Sequence, residues 1–466
     1  MTPVDDVASI AALLPGGVAT ADHIELDSSP PGAASAFDVD RLLAETAVYS
    51  VAAIDALVSG GRPERRMIDA GHVLSCCTTH VEVDGEPVPA WADLSGVYAT
   101  GDERYVQIHC NFPHHADGVV RMLGTTSDRA SVASAIAERP VFELESDLVE
   151  AGLIGAAVRT LTEWEEHPHA VATGHLPLVS LERIGEAPPS PHRPIADLRV
   201  LDCSRVLAGP VAGQMIAGFG ADVLRLGAAH LPSVPVGVIS TGFGKRNAFA
   251  DLRTTSGRVT MTELLSGADV WIDAFRPGAM SPHGFTAAHA ASLRPGLVIV
   301  QVSAFDWVGP WAGRRGFDSI VQSTTGVRWA GGEHAVDAHG EPTGVGPTGL
   351  PVQALDYATG FLAAGVAAQL VQHQRDVGGS WLGRMSLLRT RNRLVAMSGP
   401  TSYVSEPARA DPRHLDSVDS EFGRVTAVTP FAGRWHGSPA LLGSSAARWR
   451  RPDDRVTSSS RCTASP

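Results

Sequence analysis

Asp356 stands between a Gly/Pro-rich stretch, Gly344-Val-Gly-Pro-Thr-Gly349, and an apolar run of helical spacing. A carboxylate in the first turn of a helix meets amide groups that lack intrahelical partners, and these favour its ionised form. The same amides can hold the oxyanion of a tetrahedral intermediate. By spacing alone Asp356 is also an ordinary helix-opening residue. The cations Arg205, Lys245, Arg246 and Arg276 fall in loops expected near strand ends, where phosphates could bind. Each taken singly is a common solvated charge. Ala208-Gly209-Pro210 offers small side chains for close backbone approach. Phe275 is suited to pack on a flat ligand and equally suited to a core position.

Other chemical signatures fail on spacing. Gly242-Phe-Gly-Lys245-Arg246-Asn247 lacks the four-residue spacer and the Ser/Thr of a phosphate loop. No G-x-G-x-x-G follows a strand, and Gly378-Gly-Ser-Trp-Leu382 lacks the closing glycine of a nucleophile elbow. His114 and His115 have no evident third ligand and read as a helix start or surface pair, so no metal site is expected.

The elements that must position these residues change character along the chain. Residues 1–37 are rich in Ala, Pro, Gly and Asp and read as loosely structured. Residues 38–185 read as a small α+β domain: a helix over Leu42–Val58, a hairpin of 96–98 with 105–109 across Gly101-Asp102, then helices near 114–123, 128–137 and 143–151. A proline-rich joint at 186–196 precedes an α/β domain over 197–405. There, short apolar strands (Leu198–Asp202, Asp222–Leu226, Asp269–Ile272, Leu297–Val302) alternate with helices (Pro210–Phe219, Thr255–Leu265, and 355–373). That alternation predicts a parallel, Rossmann-like sheet with ligands at the carboxyl ends of its strands. Residues 406–466 read as irregular.

Composition narrows the partners. Lys and Arg total 37 against 50 Asp and Glu, a net charge of −13, which disfavours nucleic acid. Lys245 is the only lysine, and arginine suits bidentate phosphate contacts. No run of 18 apolar residues suggests a membrane span. The acidic N-terminus lacks a secretory n-region, and five cysteines without zinc spacing fit reduced thiols, so a cytoplasmic protein is expected.

Five blocks in order make residues 195–400 resemble the class III CoA-transferases, the CaiB/BaiF group. They are Val200-Leu-Asp202-Cys-Ser-Arg205-Val-Leu207-Ala208-Gly-Pro210 with Gly220-Ala-Asp222; Gly244-Lys245-Arg246-Asn247; Asp273-Ala-Phe275-Arg276-Pro-Gly278; Arg315-Gly-Phe317-Asp318 with Gln322; and Leu355-Asp356-Tyr-Ala-Thr-Gly360. The resemblance implies the family III fold, acyl-CoA and carboxylic acid substrates, and an interlocked homodimer. It assigns Asp356 as the covalent relay and implies no metal. It places Arg205, Leu207, Ala208, Lys245, Arg246, Phe275, Arg276, Arg315 and Phe317 along the coenzyme A site. Residues 96–185 are similar to the family's smaller domain, which there follows the larger one, so the order here looks permuted.

Two departures bear on this reading. Gly227-Ala-Ala-His230 and Ala279-Met-Ser-Pro282 lack arginines that the family carries for CoA. Phe317 stands where the family's racemases have a histidine, so a two-base proton exchange lacks a partner. The expected function is therefore CoA transfer. The alternatives are an acyl-CoA racemase or epimerase of the same fold, or a degenerate CoA-binding protein.

Overall fold

The computed structural model describes residues 23–27, 32–60, 63–397 and 399–451. The seven strands of the main sheet run, in spatial order, Arg246–Phe249, Asp222–Gly227, Arg199–Cys203, Val270–Asp273, Val298–Ser303, Ser380–Ser386 and Ser180–Gly185. The first six are parallel and the last is antiparallel to Ser380–Ser386. Numbered along the chain, the six parallel strands follow the order 3-2-1-4-5-6 of doubly wound nucleotide-binding sheets. Their residues are apolar on both faces because helices cover both. The order reverses between Arg199–Cys203 and Val270–Asp273, so the loops after these two strands part and leave a crevice.

The Ala354–Val377 helix fills the centre of one face, with most of its residues buried. It packs on the Ala208–Gly218 helix and on the Val39–Ser59 helix. The Ala354–Val377 and Val39–Ser59 helices are long and apolar enough to cross a membrane, yet 94% and 83% of their apolar stretches are buried in this core. The Val39–Ser59 helix, read above as part of the small domain, thus belongs to the main core. Its all-round apolar surface has to be covered.

Three further boundaries shift. The small α+β unit with a core of its own runs from Leu94 to Ala157. It is a three-stranded antiparallel sheet, Gly96–Ala99, Tyr105–Ile108 and Gly155–Ala157, covered by the helices Pro113–Leu123, Arg129–Ala137 and Val141–Glu150. The Ser180–Gly185 strand closes the edge of the main sheet. Residues 415–428, read as irregular, form a hairpin of Leu415–Ser420 with Gly423–Val428 that pairs with Val81–Val83. Its alternation is short and polar on the solvent side, and it becomes a strand pair by joining an edge over 300 residues away. Cys76, Cys77, Cys110 and Cys203 are free thiols, and Cys462 lies outside the described residues.

Candidate active site

A cleft of about 620 Å³ opens at the sheet's switch point. Its floor carries Asp356, in the first turn of the Ala354–Val377 helix and 7% exposed. Two close approaches set that carboxylate. Gly360 lets the Ala354–Val377 and Ala208–Gly218 helices touch: a Cβ there would sit 2.6 Å from the Ala208 carbonyl oxygen and 2.8 Å from Val211. Gly209 similarly leaves no room, since its Cβ would lie 2.4 Å from that of Ser204. The contact brings the Ala208 amide, at the start of its helix, towards the Asp356 carboxylate, where it favours the ionised form. The loop feeding that helix is strained, with Val206 at φ 71°. A β-branched residue holds such a backbone only where its surroundings over-determine it.

Asp318 braces Asp356 from behind. Fully buried at the start of the Asp318–Thr324 helix, it accepts the Asp356 amide at 2.9 Å and the Gln322 side chain. The Ala354–Val377 helix has no side-chain cap of its own, so Asp318 caps it from a neighbouring helix. Burial and then the charge of Asp318 push the Asp356 carboxyl well above the usual carboxylate range. Burial raises Asp318 too, against its hydrogen bonds.

Four arginines line the cleft, Arg205, Arg276, Arg314 and Arg315. Arg205 lies 4.9 Å over the Phe112 ring and donates to the Pro232 carbonyl. Burial, then Arg225 and Arg315, lower its guanidinium to about 10. Arg315 is lowered by burial and by Arg276. Among the described residues, no ion pair ties Arg205, Arg276 or Arg315 to a carboxylate. Leu207, Ala208, Phe275 and Phe317 complete the wall on the large-domain side. Phe275 is held through its amide by buried Asp273, whose carboxyl burial raises to about 6. A second, mainly apolar pocket of about 280 Å³ adjoins the cleft through Phe275 and Leu231, at the ends of the first four strands.

Two predicted positions lie elsewhere. Lys245 is buried, 2.9 Å from Asp202 and 2.6 Å from the Pro210 carbonyl oxygen, where it ties a strand to the Ala208–Gly218 helix. Arg246 pairs with Asp222 at 2.8 Å and donates to the Arg448 carbonyl. Both belong to the large domain's framework, not to the cleft lining. A lysine without solvent needs its carboxylate, and Asp202 supplies it.

The opposite wall was not foreseen. It comes from the Leu94–Ala157 unit of the same chain: Phe112, His114, His115 and Ile154. His109, behind them, stacks on Phe317 at 4.1 Å. The adjacent histidines do open a helix, as read from sequence, yet His115 is only 3% exposed. Nothing local signals this, because the packing partner lies some 200 residues away.

Residues 195–416 match the model of CoA-transferase family III. That stretch of the chain belongs to CoA-transferase family III. Over 222 residues, 47% of the chain and 33% of the relative, it is 29% identical to the acetyl-coenzyme A transferase nodX of Hypoxylon pulicicidum. Over 202 residues, 40% of the chain and 49% of the relative, it is 32% identical to the probable fatty acyl-CoA transferase Rv3272 of Mycobacterium tuberculosis. A solved CaiB/BaiF family protein from Brucella suis is 23% identical with a TM-score of 0.39, over 50% of this chain and 65% of that one. The chain thus spans half or less of the length of these two curated relatives. Within the family III segment, seven of the nine predicted coenzyme A positions and Asp356 meet at one cleft.

Proposed function

We propose that the protein transfers coenzyme A from an acyl-CoA to a carboxylic acid, with Asp356 as covalent relay. The observation that carries this reading is the pairing of a buried carboxylate in a helix's first turn with arginines free of ion pairs in one cleft. A thioester's CoA end brings several phosphates, which the arginines suit. The adjoining apolar pocket at the strand ends suits the adenine.

The ionised Asp356 attacks the thioester carbonyl; the C–S bond breaks and CoA thiolate leaves a mixed anhydride. The thiolate then attacks the aspartyl carbonyl, releasing the donor acid and leaving an aspartyl-CoA thioester. An acceptor carboxylate attacks that carbonyl and expels thiolate. The thiolate attacks the acceptor's acyl carbon, giving the new acyl-CoA and restoring Asp356. The Ala208 amide is placed to hold charge on the aspartyl oxygen during each attack. We further propose a cytoplasmic setting. A homodimer would be compatible with this site but need not complete it, since both walls come from one chain.

Each turnover leaves the bridging oxygen of the acceptor acid on Asp356. With ¹⁸O-labelled acid, mass spectrometry should find one heavy oxygen in the peptide holding Asp356 after a single turnover and up to two after many, and Asp356→Ala should abolish turnover. Undiminished transfer by Asp356→Ala, or α-proton exchange without any acceptor acid, refutes the reading.

A further inference from the structure

His115 is 3% exposed, yet neither of its ring nitrogens has a hydrogen-bond partner among the described residues. A buried polar group left without a partner costs stability, and such groups call for a physical reason. The surroundings supply one. His115 lies on the cleft wall with His114, 4.1 Å away on the same helix. His109 faces it from the preceding segment, Arg205 from the loop after Arg199–Cys203, and Arg315 from the loop after Val298–Ser303. Asp117 is the carboxylate that acts on His114. The Arg205 Nε is likewise buried and unpartnered. Donors and positive charge therefore converge from two domains on one end of the cleft.

We propose that His114 and His115, with Arg205 and Arg315, form a phosphate cradle across the domain junction that grips coenzyme A. This rests on the reading above that the cleft takes coenzyme A. It also accounts for the large domain's missing arginines: the stretches Gly227–His230 and Ala279–Pro282 bring no arginine to the cleft, and the small unit supplies the contact. Burial, then the neighbouring histidines and arginines, hold the His115 imidazole down to about 3, so it is neutral. A phosphate between these groups reverses the sign of the local field and favours the imidazolium. The cradle then takes up a proton as it closes on its ligand, and affinity rises as pH falls.

Calorimetry of CoA binding at pH 6, in two buffers of different ionisation heat, reads the proton uptake directly. Wild type should take up more protons than His114→Gln/His115→Phe, and should bind CoA about tenfold more tightly. The advantage should shrink at pH 8. Pantetheine, which has no phosphate, should bind both proteins alike. Dephospho-CoA then locates the cradle: uptake that persists assigns the diphosphate, uptake that disappears assigns the 3′-phosphate. Phenylalanine removes an unpartnered polar group from an aromatic setting, so Tm should hold or rise. Should the double variant misfold, His114→Gln alone, at a more exposed position, carries the comparison. Equal affinity and equal uptake in wild type and variant overturn the cradle and leave CoA transfer standing. Absence of CoA binding to wild type would instead sink the transfer reading itself.

Discussion

At the scale of single residues, the reaction turns on two carboxylates that cannot share a buried corner as two anions. Asp318 accepts the Asp356 amide and the Gln322 side chain, whereas burial and the charge of Asp318 push the Asp356 carboxyl well above its usual range. The charge therefore rests on Asp318 and the proton on Asp356. A nucleophile must be ionised, so transfer should gain rate with rising pH until the second proton leaves. The acid limb of kcat/KM should lie well above about 4, the range of an ordinary aspartate. Asp318→Asn keeps an oxygen for the Asp356 amide but removes the charge. It should move the acid limb down by about one unit or more, read from the pH profile. An unmoved limb would mean that Asp318 acts only as a helix cap. The family resemblance pointed to Asp356 and to Arg205, Arg276 and Arg315, where spacing alone left Asp356 an ordinary helix-opening residue. The resemblance also set Lys245 along the coenzyme A site, whereas it is buried against Asp202, 43 positions back on a strand. Neither said what Asp318 does, because the amide it caps belongs to another helix.

At the scale of elements, the site depends on how closely two helices cross. Gly360 faces Ala208 and Val211 at distances no Cβ tolerates, and both contacts lie on a helix packed against the sheet. Gly360→Ala should force the helices apart, costing about 1–3 kcal/mol of stability, measurable as a lowered urea midpoint. The Ala208 amide withdraws from Asp356 with that movement, so kcat should fall further than KM changes. A variant with a lower midpoint and intact kcat would detach the amide from catalysis. The strands and helices of this core were plain in the sequence, because parallel strands buried on both faces read as short apolar runs between helical periods. The crossing was not, since a glycine's role depends on what lies against it. Nor was the Leu415–Ser420 hairpin, which exists only through its pairing with Val81–Val83.

At the scale of the whole molecule, the cleft exists because the Leu94–Ala157 unit is pinned to the large domain. Glu145 on that unit binds Arg159 beside it and Arg314 at 2.8 Å across the junction, all with side chains under 10% exposed. Arg314 also lies 4.0 Å over the Trp311 ring, and its neighbour Arg315 faces the cleft. Burial alone would raise the Glu145 carboxyl. The hydrogen bond and charge of Arg159, with those of Arg314, outweigh it and hold the group below its usual range. A depressed carboxyl stabilises the fold above its unfolded value, and that contribution is lost as pH falls through the folded one. Glu145→Ala leaves two guanidinium groups buried and unpaired, which should cost about 3–5 kcal/mol at neutral pH. The penalty should narrow in acid, where wild type loses the same contribution. Urea unfolding at pH 7 and near pH 3 tests this, with CoA binding followed in parallel. If the junction positions Arg315, affinity falls with Glu145→Ala even where the protein is still folded. A stability loss with unchanged CoA affinity would make the ion cluster a brace of the fold that does not reach the ligand.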